Sequence, residues 1–562
     1  MFTAVVGLLV CIWPTLVQLA CFDPSPAFPV PEWKHGTDRL RPALESIDHQ
    51  LKALISREEC DNASFSVEIT SQTSTLWSSY HTARKRDSLR PGAPVVDGQS
   101  IYRIASISKV FTVLGLLYQQ AAGNLSLDDP VTRYIHELTA PDAGEIPWHD
   151  ITLRSMASQL SGLPRDFGLA DVLSTLYDPT LLGLPPRSNE SLPQCIDPAQ
   201  TCTREELLSW MKRQKPLFAP NMKSSYSNVA FSMLGLVLEN ATGMDYSRYI
   251  ETSILGPLEM DFASLETPDD EHAVLPLGSS WWDIDEGVNR PTGGVYASSS
   301  DMSKFSRYIL THYNSITTGV NWFQPASYSS YGSNFGMPFE MYQTEELLPK
   351  TRWPVTFVTK AGSLPGYFSN IAMMPEYGLS LSILVAGHSQ LVGRILARVT
   401  STMLRAAEEA VWEDMAREYD GVYTTPADDK LDSRMALKAN SSTGLTITEF
   451  ISNSTDVLHG VLPLLEGIDT SKPWHAQLVP TLLFKDEEKQ RGEIWRVLSV
   501  QHRDGNGTES WGDFCIGNWD TGSYAGVPIN EVVFWEDRRM ELPAWGVNLT
   551  AGEVPKMVFQ DL

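Results

Sequence analysis

Ser106-Ile107-Ser108-Lys109 place a hydroxyl and an amine three residues apart. In a helix this spacing brings both side chains to the same face, one turn from each other. The first turn of a helix also has free backbone N–H groups, which stabilise an anion. A buried lysine near other positive charges can lose its proton near neutral pH and act as a base toward a serine hydroxyl. The segment therefore predicts a nucleophile, Ser106, with Lys109 as its activator.

The same spacing occurs a second time, at Ser209 and Lys212. A chain of this length is expected to contain Ser-x-x-Lys about once or twice by chance. Ser106 follows a strand-like segment, Ser100–Ala105, and precedes an apolar run over Ile107–Ala122 that is typical of a helix. Ser209 lies inside an amphipathic run with no strand before it. The context favours Ser106.

Tyr226-Ser227-Asn228 supply a second set of polar groups. In an extended segment, Tyr226 and Asn228 point to the same side. A tyrosine whose pKa is lowered by lysines can carry a proton, and an asparagine can orient a substrate amide or carbonyl. Alone, such a triplet is structural more often than catalytic.

Lys360-Ala361-Gly362-Ser363 lie at the end of an apolar strand and form the third segment. Gly362 would let a substrate approach the strand backbone, so that the Ser363 and Ser106 N–H groups form an oxyanion hole. Lys360 would add positive charge near Tyr226 and near a substrate carboxylate.

The order Ser-x-x-Lys, Tyr-x-Asn, Lys-x-Gly resembles the serine β-lactamase and penicillin-binding-protein superfamily, in particular class C β-lactamases, D-peptidases and related esterases. The resemblance covers roughly residues 40–410. It implies an α+β fold, with an antiparallel sheet flanked by helices and a helical subdomain. It also implies chemistry through a covalent acyl-enzyme on Ser106.

Two departures from the family pattern bear on the substrate. Gln159-Leu160 stand where relatives often have His-Thr, and Ala361 stands where penicillin-recognising enzymes have Thr. The missing hydroxyl removes a donor to a substrate carboxylate, which favours another ester, amide or peptide over an antibiotic. Two alternatives stay open: an acyltransferase or transesterase acting on a small natural product, and a non-catalytic binding protein on the same scaffold.

The elements that position these residues are visible as hydrophobic patterns. Helical spacing runs over Arg39–Ile55 and Leu391–Glu418, and three strands with short turns span residues 355–386, as in an antiparallel meander. After residue 420 short alternating runs replace long helices. The predicted organisation is a signal peptide over residues 1–20, an extended segment over 21–39, a catalytic domain over 40–414 and a β-rich C-terminal domain over 415–562.

The apolar run over Ala4–Phe22 predicts a secretory signal peptide, with a membrane anchor as the competing interpretation. Cys195 and Cys202 flank a short loop and are the predicted disulfide pair, while Cys21, Cys60 and Cys515 leave an odd number. Acceptor triplets for N-glycosylation support export, and they begin at Asn62, Asn124, Asn189, Asn240, Asn440, Asn453, Asn506 and Asn548. We therefore expect a secreted glycoprotein.

The composition limits the kinds of molecule that this 562-residue chain is expected to bind. Its 43 basic and 68 acidic residues give a formal net charge of −25, which repels nucleic acids and anionic membranes. With 42% hydrophobic residues the chain is an ordinary globular protein. No zinc helix, phosphate loop or Gly-x-Ser-x-Gly elbow occurs. We expect a small-molecule or peptide substrate, no metal or cofactor, no nucleic acid and no stable membrane association.

Overall fold

The computed structural model describes residues 28–33, 37–168, 179–185, 192–278, 280–351, 353–426, 432–501, 520 and 522–552. The predicted signal peptide, Cys21, Cys515, Asn189 and Asn506 lie outside these residues. The chain divides into two compact units. Of the described residues, those of Glu32–Leu347 and Val355–Leu404 form the larger unit, and those of Met1–Pro31, Leu348–Pro354 and Arg405–Leu562 form the smaller one.

The larger unit is built on an eight-stranded sheet in which all neighbouring strands are antiparallel. Its spatial order is Thr75–His81, Ser64–Ser71, Leu379–Ala386, Tyr367–Met374, Val355–Leu364, Glu340–Thr344, Ser333–Phe335 and Ser327–Ser330. The meander predicted over residues 355–386 is present. A separate two-stranded ribbon pairs Ile101–Arg103 with Tyr296–Ser298.

The helices of this unit include Thr37–Ile55, Ser108–Ala121, Leu153–Ala157, Arg204–Met211, Asn228–Thr242, Tyr246–Ile250, Arg290–Gly293 and Ser299–His312, together with the first half of Gln390–Tyr419. The predicted α+β architecture is thus confirmed. Among the described residues, no helix is long and apolar enough to cross a bilayer.

The strand Ser64–Ser71 is buried along its whole length, although its sequence alternates between polar and apolar residues. Its polar face is satisfied by hydrogen bonds. The Glu68 carboxylate accepts them from Ser299 (2.8 Å), Ser303 (2.7 Å) and Tyr80 (2.9 Å). Because a buried carboxylate must be hydrogen-bonded, these hydroxyls allow a polar face to pack in the interior.

The disulfide predicted between Cys195 and Cys202 is present, with both residues buried and their Cα atoms 4.8 Å apart. Cys60 is a buried free thiol, and burial raises its pKa. A raised pKa leaves less thiolate, so Cys60 is a structural cysteine rather than a reactive one.

The smaller unit contains a nine-stranded antiparallel sheet that closes on itself, because Arg434–Asn440 pairs with both Gly421–Thr424 and Gly444–Ser452. The remaining strands are Thr455–Asp456, Trp474–Asp486, Arg491–Gln501, Glu531–Trp535, Arg539–Leu542 and Val547–Ala551, and two short helices are Val457–Gly460 and Leu462–Glu466. Closure leaves few free edges. The predicted β-rich C-terminal region is therefore a barrel.

The division between the units falls inside the helix Gln390–Tyr419, ten residues before the predicted boundary at 414/415. Leu348–Pro354, which the sequence analysis placed in the first domain, groups with the smaller unit. The reason is Trp353, which stacks on Trp412 with ring centroids 6.4 Å apart and donates its indole N–H to the Ser441 carbonyl. A hydrophobic pattern along the chain does not show that Leu348–Pro354 groups with residues that come much later in the sequence.

Candidate active site

Ser106 lies in the tight turn Ala105–Ile107, between the short strand Ile101–Arg103 and the helix Ser108–Ala121. Ala105 has φ 51°, in the left-handed region that an alanine seldom occupies. Ser106 is half-buried, whereas the residues on both sides of it are buried. The strained turn therefore brings this one side chain to the surface of a cleft.

Lys109 lies one turn further along and is fully buried. Its Nζ donates to the Ser106 Oγ at 3.0 Å and to the Thr292 carbonyl at 2.8 Å. Burial lowers the pKa of Lys109, and the charge of Lys360 lowers it further, which together outweigh the opposing effect of Tyr226. The amine is thus held against the serine hydroxyl in an environment that favours its neutral form.

Tyr226 lies close to three basic side chains. The Nζ atoms of Lys109 and Lys360 are each 5.2 Å from its ring centroid, and the Arg165 guanidinium carbon is 4.9 Å away. Burial alone would raise the pKa of Tyr226, but the two lysines and a hydrogen bond with Ser106 lower it to about 8. This phenol can therefore give up and regain a proton near neutral pH.

Lys360 differs from Lys109 in its protonation. Burial would lower its pKa, but the charges of Tyr226 and Glu340 raise it above its usual value. Its Nζ donates to the Glu340 carboxylate at 2.5 Å, and Glu340 also accepts from the Ala361 N–H at 3.1 Å. One lysine of the site is thus stabilised as a cation, whereas the other is driven toward the neutral amine.

Glu340 was not identified from the sequence. It lies on the neighbouring strand, opposite Thr359 in the register. Twenty residues separate it from Lys360, and nothing in the sequence between them fixes which strand positions face each other. Only the pairing of the two strands reveals this contact.

Asn228 is the first residue of the helix Asn228–Thr242, capped by the Ser227 side chain, and so the triplet crosses a helix start rather than lying in one extended segment. The Asn228 Nδ2 donates to Asp166 at 2.5 Å. Both residues line the cleft. Asp166, which the sequence analysis also missed, therefore fixes the orientation of the Asn228 amide.

Gln159, one of the two departures from the family pattern, holds the segment that carries Tyr226. Its Oε1 accepts from the Ser227 N–H at 2.7 Å and its carbonyl accepts from the Ser225 N–H at 2.8 Å. Gln159 is buried, with φ 62°. The side chain at this position thus has a structural role in placing Tyr226.

A buried ion pair involves Arg103, which lies three residues before Ser106. Arg103 donates to Glu286 at 2.8 Å, both side chains are buried, and Glu286 lines the cleft. Burial raises the pKa of Glu286, and Arg103 and Lys109 oppose this rise. Arg103 also donates to the Ile284 carbonyl at 2.9 Å. The pair anchors the strand before Ser106 to the segment that leads to Thr292.

Gly362, which the sequence analysis linked to the approach of a substrate, packs closely against other parts of the chain, and its role toward a substrate stays a prediction. A Cβ atom at this position would lie 2.3 Å from the Ile104 carbonyl oxygen and 2.3 Å from the Ser369 Oγ. What approaches Gly362 is therefore the chain's own backbone, immediately before the Ser106 turn. Ser363, the next residue, is exposed and lines the cleft.

Replacing Gly362 by Ala should lower the free energy of unfolding by about 1–3 kcal/mol, because the methyl group overlaps backbone that cannot move freely. Urea denaturation measures this change. Gly393→Ala, inside a helix, is the matched control: apart from the nearby backbone of its own helix, no atom lies within 4 Å of its Cβ position, so stability should rise by about 0.5–1 kcal/mol. Equal effects of the two substitutions would contradict this account.

The cleft beside Ser106 has a volume of about 90 Å³, and the side chains of Phe167, Trp281 and Leu364 form part of its lining. Trp282 is 1% exposed, and Tyr367 is buried and donates to the Val274 carbonyl at 3.0 Å. Of Trp281, Trp282 and Tyr367, only Trp281 forms part of the cleft lining.

The second Ser-x-x-Lys lies on the surface. Ser209 is exposed in the helix Arg204–Met211, where its Oγ accepts from Arg213 at 3.2 Å. Lys212 pairs with Asp142 at 3.2 Å. Ser209 and Lys212 thus take part in ordinary surface contacts.

Comparison with known proteins shows which family the chain belongs to. The family model described as "Beta-lactamase" matches residues 73–390, more than half of the chain. The chain belongs to the beta-lactamase family. A second model, "Beta-lactamase-like-like, C-terminal domain", matches residues 411–553 of this beta-lactamase family member.

Relatives of this beta-lactamase family member include fungal proteins of similar length. It is 31% identical over 579 residues to "Probable hydrolase M10" of Phoma sp., covering 98% of this chain and 94% of that protein. It is 30% identical to "Beta-lactamase-like protein" of Arthroderma benhamiae, covering 90% and 89%. A solved class C beta-lactamase aligns with a TM-score of 0.49 and 17% identity, covering 66% of this chain and 97% of that one. The chain is thus a beta-lactamase-like member of a hydrolase family.

Proposed function

We propose that this protein is a secreted serine hydrolase that forms a covalent acyl-enzyme through Ser106 on an ester, amide or peptide. The observation that carries the proposal is the 3.0 Å contact between the Ser106 Oγ and the Nζ of the fully buried Lys109, whose pKa burial lowers. A nucleophile hydrogen-bonded to a group that can accept its proton is the signature of covalent catalysis.

In the first step the Ser106 Oγ attacks the substrate carbonyl carbon, and its proton passes to the neutral Lys109 amine or to the Tyr226 phenolate. The resulting oxyanion is held by the Ser106 and Ser363 backbone N–H groups. The tetrahedral intermediate then expels the leaving group, which takes up that same proton from the base that received it. Water next attacks the acyl carbon and gives a proton to the base, and the acid leaves as the Ser106 Oγ takes this proton back.

The remaining residues position the substrate. Asn228, fixed by Asp166 at 2.5 Å, presents its amide to the acyl group. Lys360 stays protonated beside Glu340 and supplies positive charge near Tyr226. Ala361 carries no hydroxyl for a substrate carboxylate, so the proposed substrates are not β-lactam antibiotics.

Burst kinetics test the proposal. With 4-nitrophenyl butyrate, the natural protein should release one nitrophenolate per molecule rapidly and then turn over more slowly as water cleaves the acyl-enzyme. The same burst followed by turnover that an added alcohol or amine accelerates would favour the acyltransferase alternative. Absence of any nitrophenolate release would contradict catalysis and favour a binding protein.

Replacing Tyr226 by Phe should lower the acylation rate about 10²-fold and change its pH dependence. Because the pKa of Tyr226 is lowered to about 8, the phenolate forms as the pH rises through this value, and the natural rate should rise with it. Without Tyr226 the pKa of Lys109 falls further, since Tyr226 raises it. The rise in acylation rate that remains in the variant, which follows deprotonation of Lys109, should therefore occur at lower pH.

Tyr331→Phe is the control for this measurement, because Tyr331 is fully exposed and its removal should leave the pH–rate profile of acylation unchanged. A Tyr226→Phe profile that superimposes on the natural one would show that Tyr226 carries no proton in the rate-limiting step.

Export and glycosylation belong to the same proposal. Of the described acceptor asparagines, Asn62 is half-buried and the others are exposed, namely Asn124, Asn240, Asn440, Asn453 and Asn548. Exposed acceptors are accessible to the glycosylation machinery of a secretory pathway. A loss of mass on treating the natively secreted protein with an N-glycanase would support this part, and unmodified asparagines throughout would contradict it.

A further inference from the structure

A second cavity, of about 320 Å³, shares no lining residue with the Ser106 cleft. Two cross-strand pairs belong to its lining, Met341 with Val358 and Gln343 with Thr356, on the adjacent strands Glu340–Thr344 and Val355–Leu364. Alternate residues of a strand face the same side, so these four side chains form one surface. Its volume is within the range of cavities that hold small organic molecules.

Aromatic rings form part of the lining of this cavity. Tyr313 and Phe323 are stacked with their centroids 4.3 Å apart and their planes 4° from parallel. Phe323 is buried and Tyr313 is half-buried. The face of an aromatic ring carries negative electrostatic potential and attracts cations.

Two polar groups of the cavity lining, on Asn334 and Glu376, are hydrogen-bond acceptors. The Asn334 Oδ1 is buried and has no hydrogen-bond partner. The Glu376 carboxyl accepts from the Thr356 N–H at 3.2 Å. A buried acceptor without a donor costs free energy that a bound donor would recover.

Positive charge is missing from the lining. Among the lining residues that the structure describes, there is no lysine, arginine or histidine. Burial raises the pKa of Glu376 to about 7, against the smaller effect of its hydrogen bonds with Thr356. The cavity thus combines acceptors, a carboxyl group and aromatic rings, with no cation of its own.

We propose that this cavity is a binding site for a small organic ammonium compound, a protonated amine attached to an apolar group. The ammonium N–H groups donate to the Glu376 carboxylate and to the Asn334 Oδ1, while the apolar part lies against Tyr313 and Met341. An alcohol of the same shape lacks the charge, and an acid repels Glu376. The proposal is independent of the catalytic role of Ser106.

Isothermal titration calorimetry on the natural protein tests it, with 2-phenylethylamine compared with 2-phenylethanol at about pH 8, where the Glu376 carboxyl is ionised and the amine is protonated. The amine should bind at least about tenfold more tightly than the alcohol. Glu376→Gln should weaken amine binding about tenfold. Glu346→Gln, at an exposed glutamate outside the cavity lining, and Ser106→Ala should leave amine binding unchanged.

Three results would overturn the proposal: equal affinity for the amine and the alcohol, no amine binding up to about 10 mM, or amine binding that Ser106→Ala abolishes. The comparison of amine with alcohol uses the natural protein, so it holds even where Glu376→Gln fails to fold. Thermal unfolding of each variant without ligand separates loss of binding from loss of structure.

Discussion

Ser106→Ala should lower kcat/KM for 4-nitrophenyl butyrate by about 10⁴–10⁶-fold and abolish the burst. The reason is that the substitution removes the hydroxyl that lies against the buried Lys109 amine. The cleft, Lys360 and Asn228 remain. Residual turnover should come from the oxyanion-binding groups acting on water. Steady-state and rapid-mixing kinetics measure both effects.

The second Ser-x-x-Lys provides the matched control for this substitution. Ser209 is exposed and accepts a hydrogen bond from Arg213 at 3.2 Å, so Ser209→Ala should leave the burst and kcat/KM unchanged. If Ser106→Ala retained a full burst, the nucleophile would have to be another residue.

Lys109→Met should lower the acylation rate about 10³-fold. Methionine has similar length and suits the buried environment, but it cannot accept the Ser106 proton or donate to the Thr292 carbonyl. The pKa of Tyr226 should rise as well, since the charge of Lys109 lowers it. Single-turnover measurement of acylation with 4-nitrophenyl butyrate gives the rate directly.

Lys212→Met is the corresponding control. Lys212 makes one ion pair with Asp142, whose side chain is 75% exposed, and such a pair contributes about 0–1 kcal/mol to stability. Its loss should not alter acylation. Equal rates for Lys109→Met and the natural protein would exclude Lys109 as the activator.

Much of the fold followed from local patterns. The helix beginning near Ser106 and the three-stranded meander over residues 355–386 are encoded by apolar runs and turn residues that are close in sequence. The resemblance to a known family then linked Ser106, Tyr226 and Lys360, which lie more than a hundred residues apart. Their common location could not have followed from spacing alone.

Contacts that depend on strand register or on backbone packing could not be predicted. Glu340 reaches Lys360 only because their strands are paired. Asp166 reaches Asn228 across a helix start. Gly362 packs against the Ile104 carbonyl, a contact that the sequence did not indicate. In each case the sequence shows the residue but not its neighbour, because the neighbour is set by tertiary structure.

The structure shows the surroundings of Gln159 and Ala361, the two residues discussed as departures from the family pattern. Gln159 holds the Tyr226 segment through two hydrogen bonds, so its presence is compatible with an intact site. Ala361 is exposed and offers no hydroxyl. The groups proposed to transfer protons are therefore present, while a hydroxyl that would bind a substrate carboxylate is absent, so the proposed chemistry does not by itself fix the substrate.

The most direct measurement of the central claim is the intact mass of the protein after reaction with a fluorophosphonate probe, followed by peptide mapping. The account predicts one adduct per molecule on the natural protein and on Ser209→Ala, mapped to the peptide that contains Ser106, and no adduct on Ser106→Ala. An adduct that persists in Ser106→Ala and disappears in Ser209→Ala would contradict the account.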